Sequence, residues 1–344
     1  MRRVESMHEL VHRRFRVAVD HRLSVALIVL TLVAALFTPA DAKPYLRKPK
    51  HGIQLQPAPY TVGAGEDREW CEYRRMPIKK PMDIAGFKVR MPEGAHHFVV
   101  WGYSGTEQDD SKFPSGPVES VGCVGVGPGE LSPRVIIPLQ SPNARFRMPK
   151  GIALRLQPGE QIWLNPHLRN QSTAAVTPDI RANFYAAKPG SVKHLAEGLI
   201  VGNMAGINIP AGGDQTITAE WTAPVNVNIV FLAGHQHRLG TYSNIELVEN
   251  GTPRKIYENY RWEHPRNYWP KTPIRLVKGD KMRITCTWHN TDAVNVKFGP
   301  NFTDEMCFIL GFYYRDDGDT EPVGFGQCLP ATSGMLCPLA PLVN

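Results

Sequence analysis

The 344-residue chain has no C-x-x-C pair, which makes a structural zinc site a poor reading of its six cysteines. After residue 42 it has no Lys/Arg run of nucleic-acid-binding type, so no nucleic acid is an expected partner. No segment has the periodicity of a long amphipathic helix, and no Ser/His/Asp or Cys/His signature of nucleophilic catalysis is recognisable. No Gly repeat runs through it, which excludes a collagen-like chain. Its 42% hydrophobic and 21% charged residues exclude a disordered one. Only one apolar run is long, Leu23–Phe37, and its 15 residues fall short of the roughly 17–25 that span a bilayer.

What is there begins with turns. Thirty Gly and thirty Pro suit a turn-rich, mostly β protein, and the length suits about two domains of roughly 150 residues. The Leu23–Phe37 run follows a segment holding six Arg and no Lys, and it precedes Thr38-Pro39-Ala40-Asp41-Ala42. This order is that of a cleaved secretory signal over residues 1–42, with Arg13-Arg14 raising the twin-arginine route. The expected localisation is secreted, either extracellular or periplasmic, with no membrane attachment after cleavage. Losing six Arg and four acidic residues lowers the net charge from +7 to +5, which predicts no partner. All six Cys (71, 123, 286, 307, 328 and 337) lie beyond the signal, and an even count in an exported chain implies disulfides. Fifteen pairings are open to six cysteines.

Several segments alternate as strands do. Gly151–Leu164 reads as two strands around Pro158-Gly159. Gln215–Trp221, Val227–Ala233, Met282–Trp288 and the buried-type run Cys307–Tyr314 follow the same logic. Short strands with recurring turn signals predict an all-β fold of two consecutive β-sandwiches. The best linker, Lys188-Pro189-Gly190-Ser191, divides the chain into residues 43–189 and 190–344, with no sequence repeat between them.

Nine His lie beyond residue 42, and four form close pairs: His96-His97 and His235-Gln236-His237. His235 and His237, two apart, share a strand face and can grip one ion. Adjacent His96 and His97 face opposite sides of a regular strand, and reach one ion only at a strand end or bulge. Gly94 makes such an irregularity plausible. Each pair taken alone also fits ordinary polar residues at a strand end. His167 closes an alternating strand, where a lone His is often structural. Met306, between Glu305 and a buried run, is usually packing, though its thioether suits Cu(I). Glu305 and Asp304 read as solvated. Asn170, Asn250 and Asn301 head N-x-S/T sequons, at a number chance alone supplies.

Taken in order, the chain gives His96-His97, then His167-x-x-Asn170, then His235-x-His237, then Glu305-Met306-Cys307 followed by Tyr313-Tyr314. This ordered set resembles the copper type II, ascorbate-dependent monooxygenases, the group of peptidylglycine α-hydroxylating monooxygenase and dopamine β-monooxygenase. The resemblance spans most of residues 65–315 and includes Met148-Pro149-Lys150-Gly151 and Ile209-Pro210-Ala211-Gly212. It implies two jelly-roll-like β-sandwich domains, each with one copper, facing each other across an open interdomain gap. His96, His97 and His167 would bind an electron-storing copper, and His235, His237 and Met306 the copper where dioxygen and substrate react. The partners it implies are dioxygen, ascorbate as reductant and a small-molecule substrate. His51, His194, His264 and His289 match no ligand position and read as surface residues.

The resemblance also implies the disulfides Cys71–Cys123 and Cys286–Cys307, which leaves Cys328–Cys337. The substrate positions depart from the family. Where peptidylglycine enzymes carry an Arg for a peptide carboxylate, this chain has Ala233, and Phe308 and Leu310 replace their Asn and Tyr. Arg238 points away from His235 and His237 by strand alternation. A buried carboxylate without a charged partner is costly, so a more apolar substrate is expected, with Ala233, Phe308 and Leu310 as pocket positions. The alternatives are a secreted copper-binding protein of the same fold without catalysis, and, more remotely, a zinc hydrolase or a metal-free adhesive sandwich.

Overall fold

A computed structural model describes residues 46–104, 113, 115–119, 132–139, 143–202, 206–249, 251–299 and 301–320. The expected signal at 1–42 lies outside the described residues, as do Cys123, Cys328, Cys337 and Asn250. Every regular element among the described residues is a strand. No helix there is long and apolar enough to cross a membrane.

The strands form three large sheets and one small one. A five-stranded sheet has the order Val118–Glu119, Asp67–Arg75, Gln161–Arg169, Ala95–Ser104, Ser132–Leu139. A four-stranded sheet has the order Asp214–Thr222, Lys281–His289, Gly240–Glu249, Thr252–Asn259. Asn208–Ile209 and Val296–Lys297 make a two-stranded ribbon. The nine-stranded sheet runs from Gly52–Leu55 through Arg181–Ala186, Met82–Arg90, Ile152–Leu156, His194–Gly202, Phe308–Arg315 and Val227–His235 to Ile274–Leu276. Its ninth strand, Asn143–Arg147, also pairs with Met82–Arg90.

The alternating segments form the expected strands. In Lys281–His289, Met282, Ile284, Cys286 and Trp288 point inward in strict alternation, as a half-buried strand requires. The two segments around Pro158-Gly159 do not make a hairpin, however. Ile152–Leu156 belongs to the nine-stranded sheet and Gln161–Arg169 to the five-stranded one, so the turn crosses between layers.

Two cores result. One gathers Phe87, Phe98, Phe146, Leu164 and Phe184, and the other Leu239, Ile245, Tyr257, Ile284 and Trp288. Val227–His235 is buried at every position because it faces both. Phe231 and Ala233 enter the first core, while Ile229 and Leu232 enter the second, with a bulge between Ile229 and Phe231. After the turn at Gly190, His194–Gly202 pairs in parallel with Ile152–Leu156, so one sheet runs through both halves. Aromatic rings fasten them further. Phe146 stacks on Phe87 at 4.7 Å and meets Phe231 at 5.0 Å and Trp269 at 5.5 Å. Burying each such ring is worth roughly 1.5–3 kcal/mol. The halves are therefore held in one packing, and this brings their histidine-bearing strand ends together.

One side-chain motif recurs in each half. Buried Asn170 donates Nδ2 to the carbonyls of Val62, Gly63 and Ala174 and accepts from the Ser172 N–H. Asn290 does the same with Ile209, Pro210, Val294 and Asp292. The amide of the Asn170 sequon is thus used up inside a loop.

Candidate metal centre

His96 and His97 open the strand Ala95–Ser104. Its pairing with Gln161–Arg169 slips between Ala95 and His97, so His96 occupies a bulge. Gly94 makes the entry possible. Its φ is +84°, and a Cβ there would stand 2.6 Å from the Arg169 carbonyl oxygen. His97 then lies directly opposite His167, which lies opposite Glu69 on the next strand, giving one rung across three strands.

The ring hydrogen bonds choose the tautomers. His167 Nε2 donates to Asp67 Oδ1 at 2.6 Å, and its Nδ1 is buried without a partner. His97 Nε2 lies 3.2 Å from Asn165 Oδ1 and 3.5 Å from Glu69 Oε1, and its Nδ1 is likewise orphaned. Asn165 donates to Glu69 Oε1 at 2.8 Å, which orients both acceptors. His237 Nδ1 donates to the Asp304 carbonyl at 3.0 Å, leaving Nε2 without a partner, and His96 Nε2 has none either.

Four buried imidazole nitrogens are thus left with free lone pairs. A buried polar atom without a partner is costly, and three of these rings have the other nitrogen tied down. That is the arrangement of a metal ligand and its supporting shell. The ligand nitrogens of His96, His97 and His167 lie within 4.8 Å of one another, and so do those of His96, His235 and His237.

Electrostatics favour neutral rings. Burial lowers the pKa of His96 and His235 far below the ordinary value, helped by the neighbouring imidazoles. His237 falls to about 4, mainly through burial. Burial opposes the charge on Glu69, but the hydrogen bond and charge of His97 outweigh it and hold its pKa low.

The second set sits at the end of Val227–His235. His235 is paired with Phe308, whose ring is 6.2 Å from the imidazole. The turn after it is fixed by Glu305. This carboxylate accepts the N–H groups of His237, Leu239 and Met306 and the Trp288 indole N–H. Glu305 is fully buried, which corrects the expectation of a solvated acid; burial pushes its pKa up to about 7. Met306 is thereby tied to the His-x-His turn from one side, and Cys307 is bonded to Cys286 on the other. Cys71 is also disulfide-bonded.

The open gap between the two sets is corrected too. The His96 ring centroid lies 5.1 Å from that of His237 and 6.0 Å from that of His235, and 5.2 Å from that of His167. His96 stands within reach of both sets, because the shared sheet and the aromatic contacts draw the halves together.

Residues 215–337 match the family model described as copper type II ascorbate-dependent monooxygenase, C-terminal domain. The match supports the copper type II ascorbate-dependent monooxygenase family for this region. Among solved structures, the STIV MCP is similar at 9% identity, over 75% of this chain and 97% of that one, with a TM-score of 0.29. Tripeptidyl peptidase 2 is similar at 9% identity, over 78% of this chain and 24% of that one, with a TM-score of 0.19. Likenesses this remote carry no argument about activity.

The monooxygenase family uses copper, with ascorbate as reductant. The imidazole donors fit that metal, since imidazole suits copper in both oxidation states.

The other positions singled out in the sequence are placed as follows. Ala233 and Leu310 are buried partners across two strands, and Ala233 belongs to the first core. Leu310 packs with Val135 and Ile200, with Trp101 and half-buried Phe308 against them. Arg238 pairs with Asp292, away from the histidines. His51, His194, His264 and His289 are exposed. Sequence reasoning missed Asp67, Glu69 and Asn165. It also missed Trp262 and Phe302, whose rings lie 5.8 and 6.4 Å from His96. The carboxylates at i and i+2 of one strand were the available signal.

Proposed function

We propose that the protein is an exported two-copper monooxygenase. It hydroxylates an activated C–H bond of a fairly apolar small molecule, with dioxygen as oxidant and ascorbate as reductant. The observation that carries this reading is the set of buried, unpartnered imidazole nitrogens, with the rings oriented from behind, in a chain whose residues 215–337 match this family. His96, His97 and His167 would hold one copper, and His235, His237 and Met306 the other. Bound copper supplies one-electron chemistry and an open position for dioxygen.

The chain's own residues do the rest. Asp67 and the Asp304 carbonyl fix the tautomers of His167 and His237, so a lone pair and not an N–H faces the metal. Glu305 holds the His-x-His turn and Met306 in one geometry. Phe308 beside His235 supplies an apolar wall and excludes water. No charged side chain stands at Ala233, and this supports a substrate without a carboxylate at that point.

The test is ascorbate-driven oxygen consumption by copper-loaded protein across a panel of apolar substrates, with product analysis. A hydroxylated product that disappears in His235→Ala and Met306→Ala is expected. The second reading, a non-catalytic copper-binding protein, draws on the contact of His96 with both sets, which leaves little room for a substrate between them. Full copper loading with no turnover of any substrate would favour it.

A further inference from the structure

The two histidine sets differ in what stands behind them. Asp67 and Glu69, two apart on the strand Asp67–Arg75, present both carboxylates to the first set. Asp67 Oδ1 takes the His167 Nε2–H at 2.6 Å, and Glu69 Oε1 lies 3.5 Å from His97 Nε2 with Asn165 holding it. Arg68, between them on the opposite face, pairs with Glu119 and leaves both carboxylates uncompensated from that side. Behind His237 the ring's acceptor is neutral: Nδ1 donates to a main-chain carbonyl, and the Glu305 carboxylate takes the main-chain N–H, not the ring.

A carboxylate accepting an imidazole N–H makes the opposite nitrogen a stronger donor. Its negative charge also stabilises the more positive oxidation state of a nearby metal ion, strongly so where water is excluded. A carbonyl dipole does this less, and a thioether ligand favours the reduced state. We propose that Asp67 and Glu69 are positioning residues that make the His96–His97–His167 site the more reducing of the two. The asymmetry that orders the two coppers is then built into one strand of the five-stranded sheet. This proposal rests on the copper monooxygenase reading.

The test is a reductive titration of copper-loaded protein, followed by loss of the Cu(II) EPR signal. Two one-electron steps are expected. Asp67→Asn and Glu69→Gln should each shift the lower-potential step toward Cu(I) by about tenfold, or 59 mV for one electron, and leave the upper step in place. Asp67→Glu should restore the lower step, and Asp179→Asn, a carboxylate paired with Arg181, should move neither. Should Asp67→Asn fail to fold, Glu69→Gln carries the same measurement. A lower step that ignores both substitutions, or an upper step that moves as far, overturns the proposal while leaving the monooxygenase reading standing. A wild-type protein that takes up no copper overturns both.

Discussion

Glu305 Oε2 accepts the main-chain N–H of His237 at 3.0 Å, while His237 Nδ1 donates to the carbonyl of Asp304, the residue before Glu305. The two segments, 68 residues apart, are locked to each other from both ends, and Met306 follows directly. Glu305→Ala should therefore act as a site mutation and a fold mutation together. It leaves the N–H groups of His237 and Leu239 and the Trp288 indole buried without an acceptor. A loss of about 3–5 kcal/mol in a urea melt is expected, with one copper lost per chain by metal analysis. Glu305→Gln, which keeps an acceptor oxygen, should lose less.

His96, though assigned to the first copper, also lies within 4.8 Å of the ligand nitrogens of His235 and His237, so substitutions among the histidines should not be equivalent. His96→Ala is expected to weaken copper binding at both sites, while His97→Ala and His167→Ala weaken one. Copper stoichiometry under a competing chelator distinguishes the cases. Equal loss in all three variants would mean that His96 serves one site alone.

Gly94→Ala tests the bulge that lets His96 and His97 converge. The substitution places a Cβ at φ +84° and 2.6 Å from the Arg169 carbonyl oxygen, so the strand entry must shift. A stability loss of about 1–2 kcal/mol is expected, with copper affinity reduced at both sites because His96 moves. Unchanged affinity at an unchanged melting temperature would remove the bulge from the argument.

The metal-free protein should lose stability as pH falls below 6.5. His96, His235 and His237 are held neutral in the folded state, His237 down to about 4, whereas the unfolded chain protonates them near 6.5. The unfolded state then binds more protons, and stability falls with pH across that window, by about 3 kcal/mol for His237 alone. Glu305 acts in the opposite sense, since its carboxyl is raised to about 7 and its penalty eases on acidification. It opposes only one of the three imidazoles. Urea melts at pH 7, 6 and 5 should show a steady decline, steeper in Glu305→Gln.

Much of the site is legible in the sequence. His235 and His237 share a strand face by simple alternation, and the irregularity needed at His96-His97 follows from adjacent residues and a preceding glycine. Met306 gains meaning only from its order behind the histidine motifs. Glu305 reads as solvated because an acid beside a strand is usually exposed. Its burial depends on four N–H donors, two of them on the His-x-His turn and one on Trp288.

The sequence by itself determined the element type and the ligand chemistry. Period-two alternation and turn residues are local properties, and an imidazole or thioether carries its donor atom wherever the chain puts it. The tertiary structure alone decided which sheet each strand joined, which carboxylate stood behind each ring and how near the two histidine sets came. Asp67 meets His167 across 100 residues of chain, and His96 meets His237 where the halves share one sheet and Phe87 and Phe146 pack on Phe312 and Phe231. Such contacts depend on register and on the packing of two cores, and no local pattern records either.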